Sequence, residues 1–295
     1  MTQLLHRVKS KLAIRAHRRV RGVLDGEYAS VFHGKSLEFD ELRPYVPGDE
    51  VKDIDWKATA RYGVPFTKLY VAQRKHTVML VVDTGRNLAA LGADGRAKRD
   101  TAVLAAGIIG YLAHRHGDLV GLVCGDADGV HAVRAGGTES QLEQLLAHID
   151  RRARADSGRS DLDRLLGYVT RRIRRRMILV VLSDDERISP ERERLLRRLH
   201  AQHEILWLSI ADADLMSGEL AERDMIDVDD GRMLPEFIRR SATLRSEYRT
   251  ATVEQTERTR DQLEALGVTG VRITGEDDAV PQIFRLLEKH NHARR

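Results

Sequence analysis

Sulfur chemistry has almost no foothold in this chain. Cys124 is the single cysteine among 295 residues, which excludes an internal disulfide and a multi-cysteine zinc site and points most simply to the cytoplasm. Long apolar runs are missing too. The longest, such as residues 177–182, have the length of a core strand, far below the roughly 18 residues of a membrane span. Residues 1–24 hold no continuous apolar stretch of the secretory type. Neither G-x-G-x-x-G nor G-x-x-x-x-G-K-[ST] occurs, so no dinucleotide or P-loop function is assigned. The absence of G-x-S-x-G leaves an esterase triad without support. What is present is a globular balance, 42% hydrophobic and 32% charged, with a net charge of only +4.

That small net charge hides two basic segments. Residues 1–24 carry Arg7, Lys9, Lys11, Arg15, Arg18, Arg19 and Arg21 and no acid, with Leu5, Val8 and Leu12 at helical spacing. They read as a basic amphipathic helix, which either lies on anionic lipid or nucleic acid or packs on its own domain with a solvated basic face. Residues 151–176 hold ten arginines against three aspartates. The run Arg171–Arg176 closes a predicted helix, where cations complement the negative helix end.

The pattern divides the chain into a basic helix (1–25), a segment of strands and tight turns without helix (26–75), and a regular α/β domain (76–295). Pro44, Pro47 and Pro65 punctuate the middle segment. Beyond it, strands are predicted at 76–83, 118–126, 129–135, 177–185, 204–210 and 268–274. Helices are predicted at 96–115, 138–149, 160–175, 190–202, 235–266 and 279–290. The strand at 129–135 follows an Asp128-Gly129 turn and pairs back as a hairpin. The expectation is a doubly wound, mostly parallel sheet with one antiparallel edge strand. Sites in such sheets form at the carboxyl ends of strands. Asp83 and Asp184 both end core strands, so the fold can bring them together.

Several groups could carry chemistry. Asp83, Asn87, Ser160 and Asp184 supply two carboxylates and two neutral oxygens, a thin set for magnesium; the same aspartates can cap helices or bond turn amides. A D-x-D phosphotransfer site would need an acid where Gly85 stands. Residues 227–234 depart from a calcium loop, with Gly231 fifth and Ile238 twelfth, and read as an acidic turn between short strands. His114 with His116, and His200 with His203, lack a third ligand and read as surface or helix-end residues; Cys124 reads as a buried small hydrophobe. Residues 37–70 are dense in Asp, Arg, Trp and Tyr. Arg43, Asp49, Asp53, Asp55, Lys57 and Arg61 could form a charged recognition surface. Equally, they could pin an irregular segment, with Trp56 as its anchor.

This stretch resembles the bacterial family catalogued as domain of unknown function 58, whose members are associated with MoxR-type AAA+ ATPases. The signature matches at Gly26, Ser30, Gly34, Glu38, Phe39, Leu42, Arg43, Tyr45, Pro47, Gly48, Asp49, Ile54, Asp55, Trp56, Ala60 and Arg61, and Lys52 replaces an arginine. The resemblance implies a von Willebrand factor A-like domain, which usually carries a metal-ion-dependent adhesion site opening on D-x-S-x-S. Here Gly85 and Asn87 stand at the serine positions, and Ser160 and Asp184 at the second and third loops, so the site is degenerate. Many relatives carry amino-terminal membrane helices, and this chain resembles a member without them. The function implied is a non-enzymatic adaptor. Its loop-bearing edge and the 37–61 segment would meet a MoxR-type ATPase or its client, with Arg86 placed to contact a partner carboxylate. Two further readings are a binder of nucleic acid or anionic membrane through residues 1–24 and 151–176, and a metal hydrolase built on Asp83 and Asp184.

Overall fold

A computed structural model describes residues 3–15, 26, 28, 41–47, 51, 54–69, 75–216, 220, 223–233 and 235–293. Of the signature positions, Ser30, Gly34, Glu38, Phe39, Gly48 and Asp49 lie outside the described residues, as do Lys52 and the candidate Asp53.

Six strands form the central sheet: β3 (Thr77–Asp83), β4 (Leu119–Gly125), β5 (Val130–Gly136), β6 (Ile178–Asp184), β7 (Glu204–Ile210) and β8 (Thr269–Ile273). Their order is β5-β4-β3-β6-β7-β8, parallel throughout except for β5, which turns back antiparallel on β4 at one edge. This is the expected doubly wound, mostly parallel sheet.

The period-2 alternation of side chains makes two cores from one sheet. Val78, Leu80 and Val82 face α3 (Lys98–Arg115), α4 (Glu139–Arg152) and α9 (Glu276–Ala293). Met79 and Val81 face α5 (Leu162–Arg172), α6 (Pro190–His200) and the end of α8 (Ala242–Ala265). Because both faces are covered, β3 is buried along its whole length, which is why its sequence is a continuous apolar run.

The amino-terminal helix α1 (Gln3–Arg15) docks on this domain. Leu5, Val8 and Leu12 are buried in the first core. Gly107 of α3 makes the approach possible, since a Cβ there would fall 2.4 Å from Val8 Cγ2. The basic side chains find acids of the same chain: Lys9 pairs with Glu139 at 2.7 Å, Lys11 with Asp277 at 3.2 Å, and Arg7 with Glu276. Thus α1 packs on its own domain. The Glu143 carboxylate of α4 accepts the Leu4 and Leu5 N–H groups at 3.2 and 2.7 Å, serving donors that the first turn of a helix leaves unpaired. Glu143→Ala is expected to cost about 1 kcal/mol in urea unfolding. An unchanged midpoint would show that these N–H groups are equally well served by water.

Two elements depart from expectation. The 235–266 helix is broken into α7 (Glu236–Arg240) and α8, because Ser241 is extended (φ −83°, ψ 117°) and its hydroxyl accepts the Leu244 N–H at 3.3 Å. The middle segment, read as helix-free, contains α2 (Trp56–Tyr62) between the antiparallel strands β1 (Glu41–Pro44) and β2 (Phe66–Leu69). Asp55 caps α2 by accepting the Lys57 and Ala58 N–H groups, and Gly63 ends it at φ 75°. Three of the four histidines sit at helix ends as expected: His114 in the last turn of α3, His116 at its C-cap and His200 at the end of α6. His203 departs from the expectation: it is buried, and its Nδ1 accepts the Met177 N–H at 3.3 Å just before β6. His116 stacks on the buried Tyr28 with ring centroids 5.0 Å apart. Burial makes Cys124 a small hydrophobe and pushes its thiol up to about 11. Among the described residues, no helix is long and apolar enough to cross a membrane.

Candidate functional site

The strand order reverses between β3 and β6, and ligands in open α/β sheets bind at the carboxyl edge of such a switch point. Parallel pairing sets Val82 beside Leu182, so Asp83 and Asp184 end neighbouring strands at this edge. The loops around them are tied together by backbone hydrogen bonds: Thr84 N–H to the Gly125 carbonyl, Arg86 N–H to Gly158, and Ala127 N–H to Arg159.

Asp83 is buried, and its carboxylate accepts the Gly85 N–H at 2.9 Å. Burial pushes its pKa up to about 7 against that hydrogen bond, with the charges of Glu186 and Asp184 adding to the rise. Burial likewise drives Asp184 up to about 6, against the pull of the Lys98 ammonium. Lys98 is the residue that the sequence reading missed. It opens α3, is 1% exposed, and its Nζ donates to Asp184 at 2.6 Å and to Asp212 at 2.5 Å. Burial and the positive end of the helix dipole both oppose a cation here. The two carboxylates more than offset the burial and hold the ammonium above its ordinary pKa. Asp212, just past β7, was missed as well. The available signal was a third aspartate at the carboxyl end of a parallel strand, an excess of negative charge that needs a counterion.

Lys98, Asp184 and Asp212 lie on a cleft of about 710 Å³. Its walls also include Asn87, Leu91 and Tyr248, together with residues 225–230. These residues run into the acidic turn expected at 227–234, closed by an antiparallel bridge between Ile226 and Met233. Asn87 points a buried Oδ1 with no hydrogen-bond partner. Arg86, expected to reach a partner carboxylate, donates its Nε to the Ser157 carbonyl at 3.2 Å. Asp229 is held below its ordinary pKa chiefly by its hydrogen bond from Arg159, with Arg86 a minor contributor.

Magnesium does not fit these residues. Gly85 has no side-chain oxygen to offer. Ser160 lies so close that a Cβ on Gly85 would fall 2.5 Å from the Ser160 Cα and 2.6 Å from its N and Oγ. Asp184 Oδ1 already accepts from an ammonium, which offsets its charge, and Asp83 Oδ1 accepts from a backbone N–H. Among the described residues no trio of His, Cys, Asp or Glu is arranged to hold a metal. Gly85→Ser is therefore expected to destabilise the fold by about 1–3 kcal/mol, because backbone rather than a flexible side chain must yield. A variant as stable as wild type in urea would show that the Ser160 loop moves freely.

The other candidate surface is the β1–α2–β2 unit. Asp55 caps the helix, and Trp56 is not the buried anchor expected: it is 66% exposed. Val46, Val51, Tyr62 and Val64 of the same segment are exposed, as is Arg61, while Arg43 is half-buried opposite Thr67.

With the geometry in hand, the comparison with known families is decisive. The family described as "Protein of unknown function DUF58" matches residues 41–258. This chain belongs to the DUF58 family. A curated relative, the uncharacterized protein Rv1480 of Mycobacterium tuberculosis, is 30% identical over 203 residues, 68% of this chain and 63% of Rv1480. The chain thus spans a little under two thirds of that DUF58 relative's length. Solved structures with a similar fold include an aerotolerance-related membrane protein from Bacteroides fragilis, at 12% identity and TM-score 0.45, covering 72% of this chain and 99% of that one. They also include a von Willebrand factor type A protein from Catenulispora acidiphila, at 11% identity and TM-score 0.42, covering 76% and 43%.

Proposed function

We propose that this DUF58 protein is a non-enzymatic adaptor that docks a partner protein, by family resemblance a MoxR-type AAA+ ATPase or the client of one. The observation that carries the reading is Trp56, held in the open on a short helix by the Asp55 cap and the Gly63 stop, in a segment that also exposes Val46, Val51, Tyr62 and Val64. A tryptophan kept in water by well-made local structure is a cost to the free protein. Aromatic residues of this kind anchor interfaces once a partner covers them. Two further exposed apolar side chains, Ile226 and Met233, line the carboxyl-edge cleft.

The test is binding of the full chain to a MoxR-type ATPase, with and without nucleotide. Trp56→Ala is expected to weaken the complex by about tenfold or more and to leave the thermal midpoint of the free protein unchanged. Failure of the wild-type chain to bind, or equal binding by Trp56→Ala, would contradict the reading. Raising the salt in the same assay separates it from an electrostatic contact with nucleic acid or anionic membrane, which falls steeply with ionic strength.

A further inference from the structure

We propose that the Lys98 ammonium is the resident cation of the carboxyl edge, seated where the charge of Asp184 and Asp212 would otherwise call for a divalent ion, so that the cleft keeps its form without metal. The proposal stands apart from the identity of any partner.

Three observations converge on it. The ammonium touches both carboxylates at hydrogen-bond distance, 2.6 and 2.5 Å, and an ion coordinated by oxygens needs those same atoms. Lysine at this position is no passing surface contact. It is 1% exposed, and its backbone N–H donates to the Ala90 carbonyl at 2.9 Å, which fixes the start of the side chain at the first turn of α3. Finally, the close approach of Ser160 to Gly85 leaves no room for a hydroxyl-bearing side chain at residue 85. The edge therefore offers no side-chain oxygen at residue 85 and holds a tethered charge at residue 98. A tethered cation differs from a bound one in consequence: it has no dissociation equilibrium, so the arrangement of Asp184 and Asp212 does not respond to the concentration of magnesium or manganese.

The proposal makes an unusual claim about variants, namely that removing a positive side chain creates affinity for a metal. Lys98→Ala empties the seat, and Lys98→Gln, the gentler replacement, keeps hydrogen-bond donors for the carboxylates while removing the charge and adding an amide oxygen. The experiment is titration calorimetry of the full chain with manganese chloride and magnesium chloride, joined to scanning calorimetry with millimolar manganese or with chelator. Wild type is expected to give no binding heat and the same midpoint in both conditions. Each variant that folds is expected to have a lower midpoint than wild type, to recover part of it in manganese, and to bind manganese at least about tenfold more tightly than wild type, as mass action requires of a ligand specific for the folded state. Sub-millimolar manganese binding by wild type would overturn the proposal whichever variants fold. So would a folded Lys98→Gln with no gain in manganese affinity.

Discussion

Lys98→Met is expected to cost the fold about 3–5 kcal/mol, the range for breaking a buried ion pair by deleting one partner. Methionine fills much of the same volume, so little of the loss is a cavity. The cost arises because Asp184 is left buried beside Asp83 with no cation, while Asp212, 56% exposed, can turn to water and contributes less. Adding Asp184→Asn to Lys98→Met is expected to restore part of the loss, since two neutral groups bury more cheaply than one stranded charge. Urea unfolding of the two single variants and the double variant at neutral pH gives the coupling between residues 98 and 184. A loss below about 1 kcal/mol for Lys98→Met would place the ammonium in water rather than in the seat described.

Asp83→Asn is expected to stabilise the protein above neutral pH. The carboxyl ionises near the ordinary 3.8 when the chain is unfolded and at about 7 when folded. Between those values the native state holds a proton that the unfolded state has released, so stability falls as pH rises through the window. Above it the full penalty of a buried carboxylate is in place, because Glu186 and Asp184 add repulsion that Arg192 only partly relieves. Asparagine keeps an oxygen for the Gly85 N–H and carries no charge. The variant should match wild type near the acid end of the window and exceed it at about pH 8 by on the order of 4 kcal/mol. Thermal midpoints across this range provide the check; parallel curves for the two proteins would mean that Asp83 stays ionised in the fold.

How far the sequence carried the structure depended on period. The buried strands were readable because residues 77–83 and 178–184 are unbroken apolar runs ended by aspartate, and the Asp128-Gly129 turn announced the antiparallel edge strand. The docking of α1 could be stated only as an alternative. Its apolar stripe is visible in Leu5, Val8 and Leu12, but the acids that neutralise its basic face, Glu139 and Glu276, lie far along the chain. The break at Ser241 was missed because a serine inside a polar helical run carries no periodic signal, although it is a strong cap. Helix α2 was missed because its seven residues are too few to show a period, and only the flanking Asp55 and Gly63 mark it. At the site, Asp83 and Asp184 were found because each ends a strand. Lys98 was not, since a lysine at the start of a helix reads as a solvated residue until the sheet places two carboxylates above it.

The most direct test is a crystal structure of the full chain grown in manganese chloride, with anomalous data collected at the manganese edge. The expected result is Lys98 Nζ within hydrogen-bond distance of Asp184 and Asp212, with no anomalous peak at the carboxyl edge. A manganese peak between Asp83 and Asp184, with the Lys98 side chain swung aside, would contradict it.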